Sequence, residues 1–151
     1  MIKELDVFIN EPFDAGLIKP LYAKLEDLKL SHPRAKFPFN EVEWTDEFTS
    51  DPDNTSLVFM HQGKLIGHIA IIPSGRNLYL CYVILTKEYR GQGWSDKMLL
   101  ETEEFCRLNY SNVQVFLNVD KKNVKAQNLY TRMGYSLCGE EGNKFKMKKY
   151  L

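Results

Sequence analysis

A change of hydrophobic period around a pair of glycines constrains this chain more than any other feature. Leu78 to Leu85 reads Leu-Tyr-Leu-Cys-Tyr-Val-Ile-Leu, which is apolar, aromatic and β-branched, and too short for a typical free-standing helix. From Ser95 to Leu108, the residues Met98, Leu99, Phe105 and Cys106 recur with a 3.6-residue period, and Thr102 fills the same face. Between the two lies Arg90-Gly91-Gln92-Gly93-Trp94-Ser95. The order is strand, glycine-punctuated turn, helix. Two glycines at the mouth of a helix let backbone N–H groups gather around an anion, and the helix dipole favours negative charge there. The stretch reads as a phosphate-binding turn, although a glycine pair alone also serves as a plain tight connection.

A second β-rich run, Val113 to Val119, supplies a partner for that strand. One helix separates the two, so they should be parallel neighbours with a right-handed crossover. A ligand in the mouth between them would rest its phosphates on Gly91 to Ser95. Its extended part would run along the backbone edge of Val83 to Leu85. Asn123 to Met133 reads as a short helix ended by Gly134, and Tyr135 to Cys138 and Lys144 to Leu151 as closing strands.

Upstream, Leu5, Val7 and Ile9 alternate in a first strand over Ile2 to Ile9. Asp14 is placed to cap a helix carrying Leu17, Ile18, Leu21, Tyr22, Leu25, Leu28 and Leu30, with Pro20 as a kink or a first-turn residue. Ser31 to Asn40 holds two prolines and resists assignment. Glu41 to Thr49 is a second helix with Val42, Trp44 and Phe48 for burial, and Asp51 to Asn54 is a turn. Ser56–His61 and Lys64–Pro73 flank Gln62-Gly63, a hairpin, before a turn at Ser74 to Asn77. The whole is an α+β chain with a mixed, mostly antiparallel sheet flanked by helices.

Bulk properties narrow the partners. The 151 residues suit one domain, 1–151, with a real core. Twenty Lys and Arg balance twenty Asp and Glu, so no net charge steers the chain toward nucleic acid or an anionic membrane. No apolar run reaches spanning length, and the first residues lack a signal-peptide pattern. Cys81, Cys106 and Cys138 are odd in number and set in apolar patterns, which reads as buried reduced thiols in a cytoplasmic protein, with no metal site.

Two blocks together point to a family. Arg90-Gly91-Gln92-Gly93-Trp94-Ser95 resembles the (Gln/Arg)-x-x-Gly-x-(Gly/Ala) pyrophosphate signature of the GNAT superfamily of acyl-CoA-dependent N-acyltransferases. Asn123 to Tyr135 resembles its second block, Asn-x-x-Ala-x-x-Leu-Tyr-x-x-x-Gly-(Phe/Tyr), at the usual distance. Ser95 departs from the glycine or alanine of the signature, but serine is small and the contact there is a backbone N–H. Lys87, where a proline is common, reads as neutral.

The resemblance implies a GNAT fold with one parallel strand pair splayed at an acetyl-CoA site, and transfer of the acetyl group to a primary amine. It places Arg90, Gly91, Gln92, Gly93, Trp94 and Ser95 around the pyrophosphate, and Val83, Ile84 and Leu85 along the pantetheine. It sets Asn123 and Asn128 on the cofactor arm and points the Tyr130 hydroxyl at the sulfur. A phenol near pKa ~10 cannot fully protonate a thiolate near ~8.5 without climbing roughly 2 kcal/mol, so Tyr130 is better described as a hydrogen-bond donor. A lysine-like amine costs roughly 4–5 kcal/mol to deprotonate at pH 7, and an α-amino group only about 1.

Competing readings stand beside these. A non-catalytic acyl-CoA-binding module on the same fold is the main alternative. For the amine base, His32, Glu41, Glu43 and Tyr82 are candidates. A solvated role is the simpler account of His32, and core packing that of Cys81 and Tyr82. Lys144 to Leu151 interleaves basic and aromatic residues, which reads as an edge strand with lysines toward water rather than a nucleic-acid surface. Phe37, Phe39 and Trp44 form either an acceptor wall or a plug on the sheet. The acceptor amine is not legible, and a homodimer stays open.

Overall fold

The computed structural model describes residues 4–111 and 114–151. The expectations that begin at Ile2 and at Val113 therefore lie partly outside the described residues. Strands β1 (Asp6–Ile9), β2 (Thr55–His61), β3 (Lys64–Ser74), β4 (Asn77–Leu85), β5 (Gln114–Asp120), β6 (Ser136–Glu141) and β7 (Lys144–Tyr150) form one sheet in the order β1-β2-β3-β4-β5-β7-β6. Every neighbouring pair is antiparallel except β4 and β5. The tight Gln62-Gly63 hairpin has both central residues at positive φ, the backbone twist that suits flanking strands.

Alternation along the strands sorts the core into two layers. Leu57, Phe59, Ile69, Ile71, Leu78 and Leu80 face one side. There Met98, Leu99 and Cys106 of helix α4 (Trp94–Asn109) and Tyr130 of helix α5 (Val124–Arg132) cover them. Val58, Ala70 and Ile84 face the other side, under Ile18, Leu21, Tyr22, Leu28, Trp44 and Phe48. Gly67 lets α4 sit close to the sheet: a Cβ there would lie 2.7 Å from the Met98 sulfur and 2.9 Å from the Ile84 carbonyl oxygen.

Two expectations are corrected. The stripe from Leu17 to Leu30 is not one helix. It divides into α1 (Ala15–Ile18), a 3-10 turn (Lys19–Tyr22) and α2 (Leu25–Ser31). Pro20 sits in the first turn of the middle piece, and Lys24 adopts an extended conformation, so the helical hydrogen bonds stop and restart. Asp14 does cap the start, accepting from the Gly16 N–H at 2.9 Å. The second correction concerns Lys144 to Leu151, which is not an edge. Strand β7 lies between β5 and β6, and Lys146 extends over the rings of Tyr79 and Phe116, burying its stem while its ammonium meets the π faces. The described sheet ends on this side at β6, where Leu137 is 61% exposed. Helix α3 (Glu41–Ser50) matches its expected span, capped by Asn40.

Candidate active site

The parallel pair separates soon after it forms. Strands β4 and β5 register at Leu78–Val115, Tyr79–Phe116 and Leu80–Leu117, and no further. Beyond that point Cys81 to Leu85 and Asn118 to Asp120 line the two walls of a cleft of about 1700 Å³. On its other side β4 is bulged, because Ala70 opposes Cys81 while His68 opposes Ile84, three steps against two. Tyr82 absorbs the extra residue at φ +54°, a left-handed conformation that costs a tyrosine about 1 kcal/mol.

A buried chain of hydrogen bonds braces that bulge. The Tyr22 hydroxyl donates to the Tyr82 carbonyl at 2.6 Å and lies 2.8 Å from Nδ1 of His68. Because the hydroxyl proton is spent on the carbonyl, Nδ1 carries the hydrogen and donates. Nε2 then accepts from the Ser56 hydroxyl at 2.7 Å, and Asn10 Nδ2 donates to that same Ser56 oxygen at 3.4 Å. His68 is fully buried, and desolvation drives its pKa down to about 3, so the ring stays neutral.

The glycine turn closes the mouth of the cleft. Gly91 and Gly93 sit at φ +75° and +86°, and Gly93 is the left-handed N-cap of α4. Among the described residues no side-chain cap hydrogen bond closes α4 at Gly93, and the first turn of a helix, with the dipole behind it, suits an anion. The acidic residue of that turn, Asp96, is engaged by Arg132, whose Nη2 and Nε lie 2.8 and 3.3 Å from its carboxylate. Arg90 folds back, its Nε donating to the Leu85 carbonyl at 2.8 Å and its Nη2 to Asp27 at 3.1 Å, which ties the turn to β4 and α2.

The structure brings most of the expected site residues to this cleft. Val83, Ile84, Leu85, Arg90, Gly91, Gly93, Ser95, Asn123 and Tyr130 all line it. Three do not. Gln92 turns its amide back to the Glu88 carbonyl at 2.7 Å. Trp94 packs into the core against His61 and Tyr89, at 4.5 and 5.5 Å between ring centres. Asn128 is exposed on α5 and does not line the cleft. Asn123 is the N-cap of α5 and accepts from the Ala126 N–H at 3.2 Å. Tyr130 is 7% exposed, and burial pushes its hydroxyl up to about 12.

The other end of the cleft holds residues that sequence reasoning weighed poorly or missed. Glu47, on α3, accepts the Tyr82 hydroxyl and lies 3.6 Å from the His32 ring. Its spacing from Trp44 and Phe48 says only that it flanks a buried face; nothing in the sequence links it to Tyr82, 35 residues away. His32 is not the solvated residue expected from its place beside a proline, since its side chain is 15% exposed and stacked on Tyr82. Glu41 and Glu43 are engaged elsewhere, with Lys19 and with the Lys36 N–H. Phe39 and Trp44 are buried as a plug against Tyr22, while Phe37 is 46% exposed. All three cysteines are free, but Cys138 is exposed, because β6 ends the described sheet on that side. Among the described residues no cluster could hold a metal ion, and no helix is long and apolar enough to cross a membrane.

The acetyltransferase (GNAT) family profile matches residues 21–135, from the 3-10 turn through the second sequence block. The chain belongs to the GNAT family. An uncharacterized N-acetyltransferase of Mycobacterium tuberculosis is 27% identical over 94 residues, 62% of this chain and 60% of that protein. Thus the chain matches less than two thirds of that relative's length. Among solved structures, the spermidine N-acetyltransferase of Vibrio cholerae, in complex with CoA and spermine, superposes with a TM-score of 0.77 at 19% identity, covering 97% of this chain and 95% of that one. The PaiA N-acetyltransferase of Thermoplasma acidophilum, in complex with coenzyme A, gives 0.73 at 18% identity, covering 98% and 99%. The ribosomal-protein-alanine N-acetyltransferase of Brucella melitensis gives 0.71 at 16%, covering 97% and 99%. These neighbours share the seven-strand mixed sheet with its parallel pair, which is the GNAT fold.

Proposed function

We propose that this GNAT protein is a single catalytic domain, 1–151, that transfers the acetyl group of acetyl-CoA directly to a primary amine. One observation carries the reading: the splay of β4 from β5, the glycine-capped start of α4 and Tyr130 all open on the same cleft. The pyrophosphate would take the N–H groups from Gly91 to Ser95, with Gln92 and Trp94 contributing backbone only. Pantetheine would add along Val83 to Leu85 like an extra strand, its main-chain groups serving where β5 has left. An N–H of that segment would polarise the thioester carbonyl. Asn123, already capping α5, stands beside the cofactor arm. The placement of Asn128 away from the cleft weakens the role its motif implied.

Tyr130 would hydrogen-bond the departing sulfur. With its hydroxyl near 12 against a thiol near ~8.5, full proton transfer would be uphill by about 5 kcal/mol, so it stabilises the thiolate without becoming a phenolate. Holding amine and thioester together in the cleft supplies much of the remaining rate. The Vibrio cholerae neighbour is named for spermidine and the Brucella melitensis one for a ribosomal-protein alanine, so polyamines and peptide N-termini are the amines to try first. Three free thiols fit a reducing, cytoplasmic setting.

The test is release of free thiol from acetyl-CoA with spermidine, lysine, glucosamine and an alanine-led peptide. Turnover on any of them supports the proposal. Acetyl-CoA binding with turnover on none would favour a non-catalytic acyl-CoA-binding module.

A further inference from the structure

Past the thioester end of β4, the cleft continues into a cluster to which the acetyltransferase reading assigns no task. His32 comes from the C-terminal cap of α2, Glu47 from the last turn of α3, and Tyr82 from the bulge of β4. The His32 ring lies flat on Tyr82, 4.2 Å between centres and 7° between planes, and meets Trp44 edge-on at 5.3 Å. Its Nε2 is 3.6 Å from Glu47 Oε2, while Glu47 Oε1 accepts the Tyr82 hydroxyl. Nδ1 makes no hydrogen bond among the described residues, and all three residues line the cleft.

We propose that His32 is the catalytic base that takes the amine proton, with Glu47 and Tyr82 as positioning residues that hold its ring. This rests on the acetyltransferase reading. A carboxylate beside Nε2 favours the tautomer with hydrogen on that nitrogen, leaving the Nδ1 lone pair free. Stacking removes the ring's rotational freedom, so that lone pair keeps one direction. The same logic orients the imidazole in hydrolase triads.

The other ionisable groups around the ring do not compete. From β4, the Cys81 thiol is pushed up to about 12 and the Tyr82 hydroxyl is pushed above its ordinary range, in both cases chiefly by burial. From α3, burial would raise Glu47, but its contacts with His32 and Tyr82 outweigh that and hold it below the usual carboxylate range. It therefore stays an anion and a poor base. Arg34, in the same loop as His32, is permanently charged. Lys29 of α2 spends its ammonium on the Pro33 and Ala35 carbonyls. Histidine is the side chain whose ordinary range spans neutral pH.

The step balances without a further reactant. The neutral amine attacks the thioester carbon, the C–S electron pair leaves on sulfur, and one N–H proton passes to Nδ1 of His32. The thiolate collects a proton from water, and the imidazolium returns its proton to water.

The full chain, its His32→Gln form and its Glu47→Gln form are compared with acetyl-CoA and whichever of spermidine, lysine, glucosamine and the alanine-led peptide turns over fastest. We measure kcat and KM from pH 6 to 9, with acetyl-CoA affinity by calorimetry. The expected result is a loss of at least ~30-fold in kcat at pH 7 for His32→Gln, with acetyl-CoA affinity within twofold and the acidic limb of the profile gone. Glu47→Gln should shift that limb and lower kcat less. A His32→Gln form that keeps the parent rate and profile overturns the proposal and leaves the acetyltransferase reading intact. If His32→Gln fails to fold, an unmoved limb in Glu47→Gln overturns it. A parent chain that binds acetyl-CoA but acetylates no amine overturns both.

Discussion

The two halves of the cleft are built by opposite means. The donor half is backbone: a strand edge that β5 leaves after Leu80, two left-handed glycines and the glycine-capped N-terminus of a sixteen-residue helix. The acceptor half is side chains: His32, Glu47 and Tyr82 from three elements, resting on a buried layer of Tyr22, Trp44 and His68. A backbone site needs particular residues only where φ is unusual or space is short, so its sequence trace is brief and local. A side-chain site depends on contacts between distant segments, and many residue types can make such contacts. That contrast predicts damage of different kinds in the two halves.

Gly93→Val should produce the largest effect. A β-branched residue at φ +86° either strains the N-cap or flips it, and either outcome turns N–H groups away from the anion. We expect acetyl-CoA affinity to fall by about 100-fold or more, read by calorimetry, equivalent to roughly 3 kcal/mol. The acceptor half, carried on other elements, should keep its near-ultraviolet aromatic signal. Unchanged affinity would break the donor-half assignment.

This contrast also explains what could be read in advance. The strand–turn–helix at Leu78 to Asn109 and its parallel partner depend on period and glycine within a few residues, and both stand in the structure. The division of residues 15–31 into three pieces was signalled only by Pro20, because the apolar stripe runs through the breaks. The interior place of β7 was not legible, since a strand of alternating lysines looks the same at an edge or under π faces. Glu47 carried no signal at all. Its role exists only because α3 lies against the bulge of β4.

Tyr130→Phe sharpens the donor half. It removes a hydroxyl and keeps the ring, which packs against Tyr135 at 5.9 Å. We expect kcat to fall by about 10–100-fold, with acetyl-CoA affinity within twofold. Equal losses in both would mean that Tyr130 shapes the pocket rather than assisting the leaving thiolate.

The acceptor half should instead show itself in pH. His68 has a folded pKa of about 3 against an unfolded value near 6.5. Its stability contribution is fully present above 6.5, falls as the unfolded chain takes up a proton, and is exhausted near 3. Between pH 7 and pH 5, before most carboxylates titrate, this amounts to about 2 kcal/mol, read as a lower urea midpoint. His68→Gln should start less stable and lose much less over that interval. An identical pH slope in the two forms would remove His68 as the cause.

Asn123 gives the smallest effect and the finest division, because one side chain is offered for two tasks at the border of the donor half. As the N-cap of α5 it accepts from Ala126, and replacement by alanine should cost about 1 kcal/mol of stability. Aspartate caps equally well, so Asn123→Asp should leave stability nearly unchanged. The two substitutions then part company on the cofactor. A new carboxylate on the cleft wall would repel a phosphate-bearing arm, and acetyl-CoA affinity should drop several-fold, recovering in part as salt is raised. If Asn123→Asp binds acetyl-CoA as the parent does at low salt, the anionic arm does not pass this residue. Asn123 would then be a cap alone, and the donor half would end at the turn from Gly91 to Ser95.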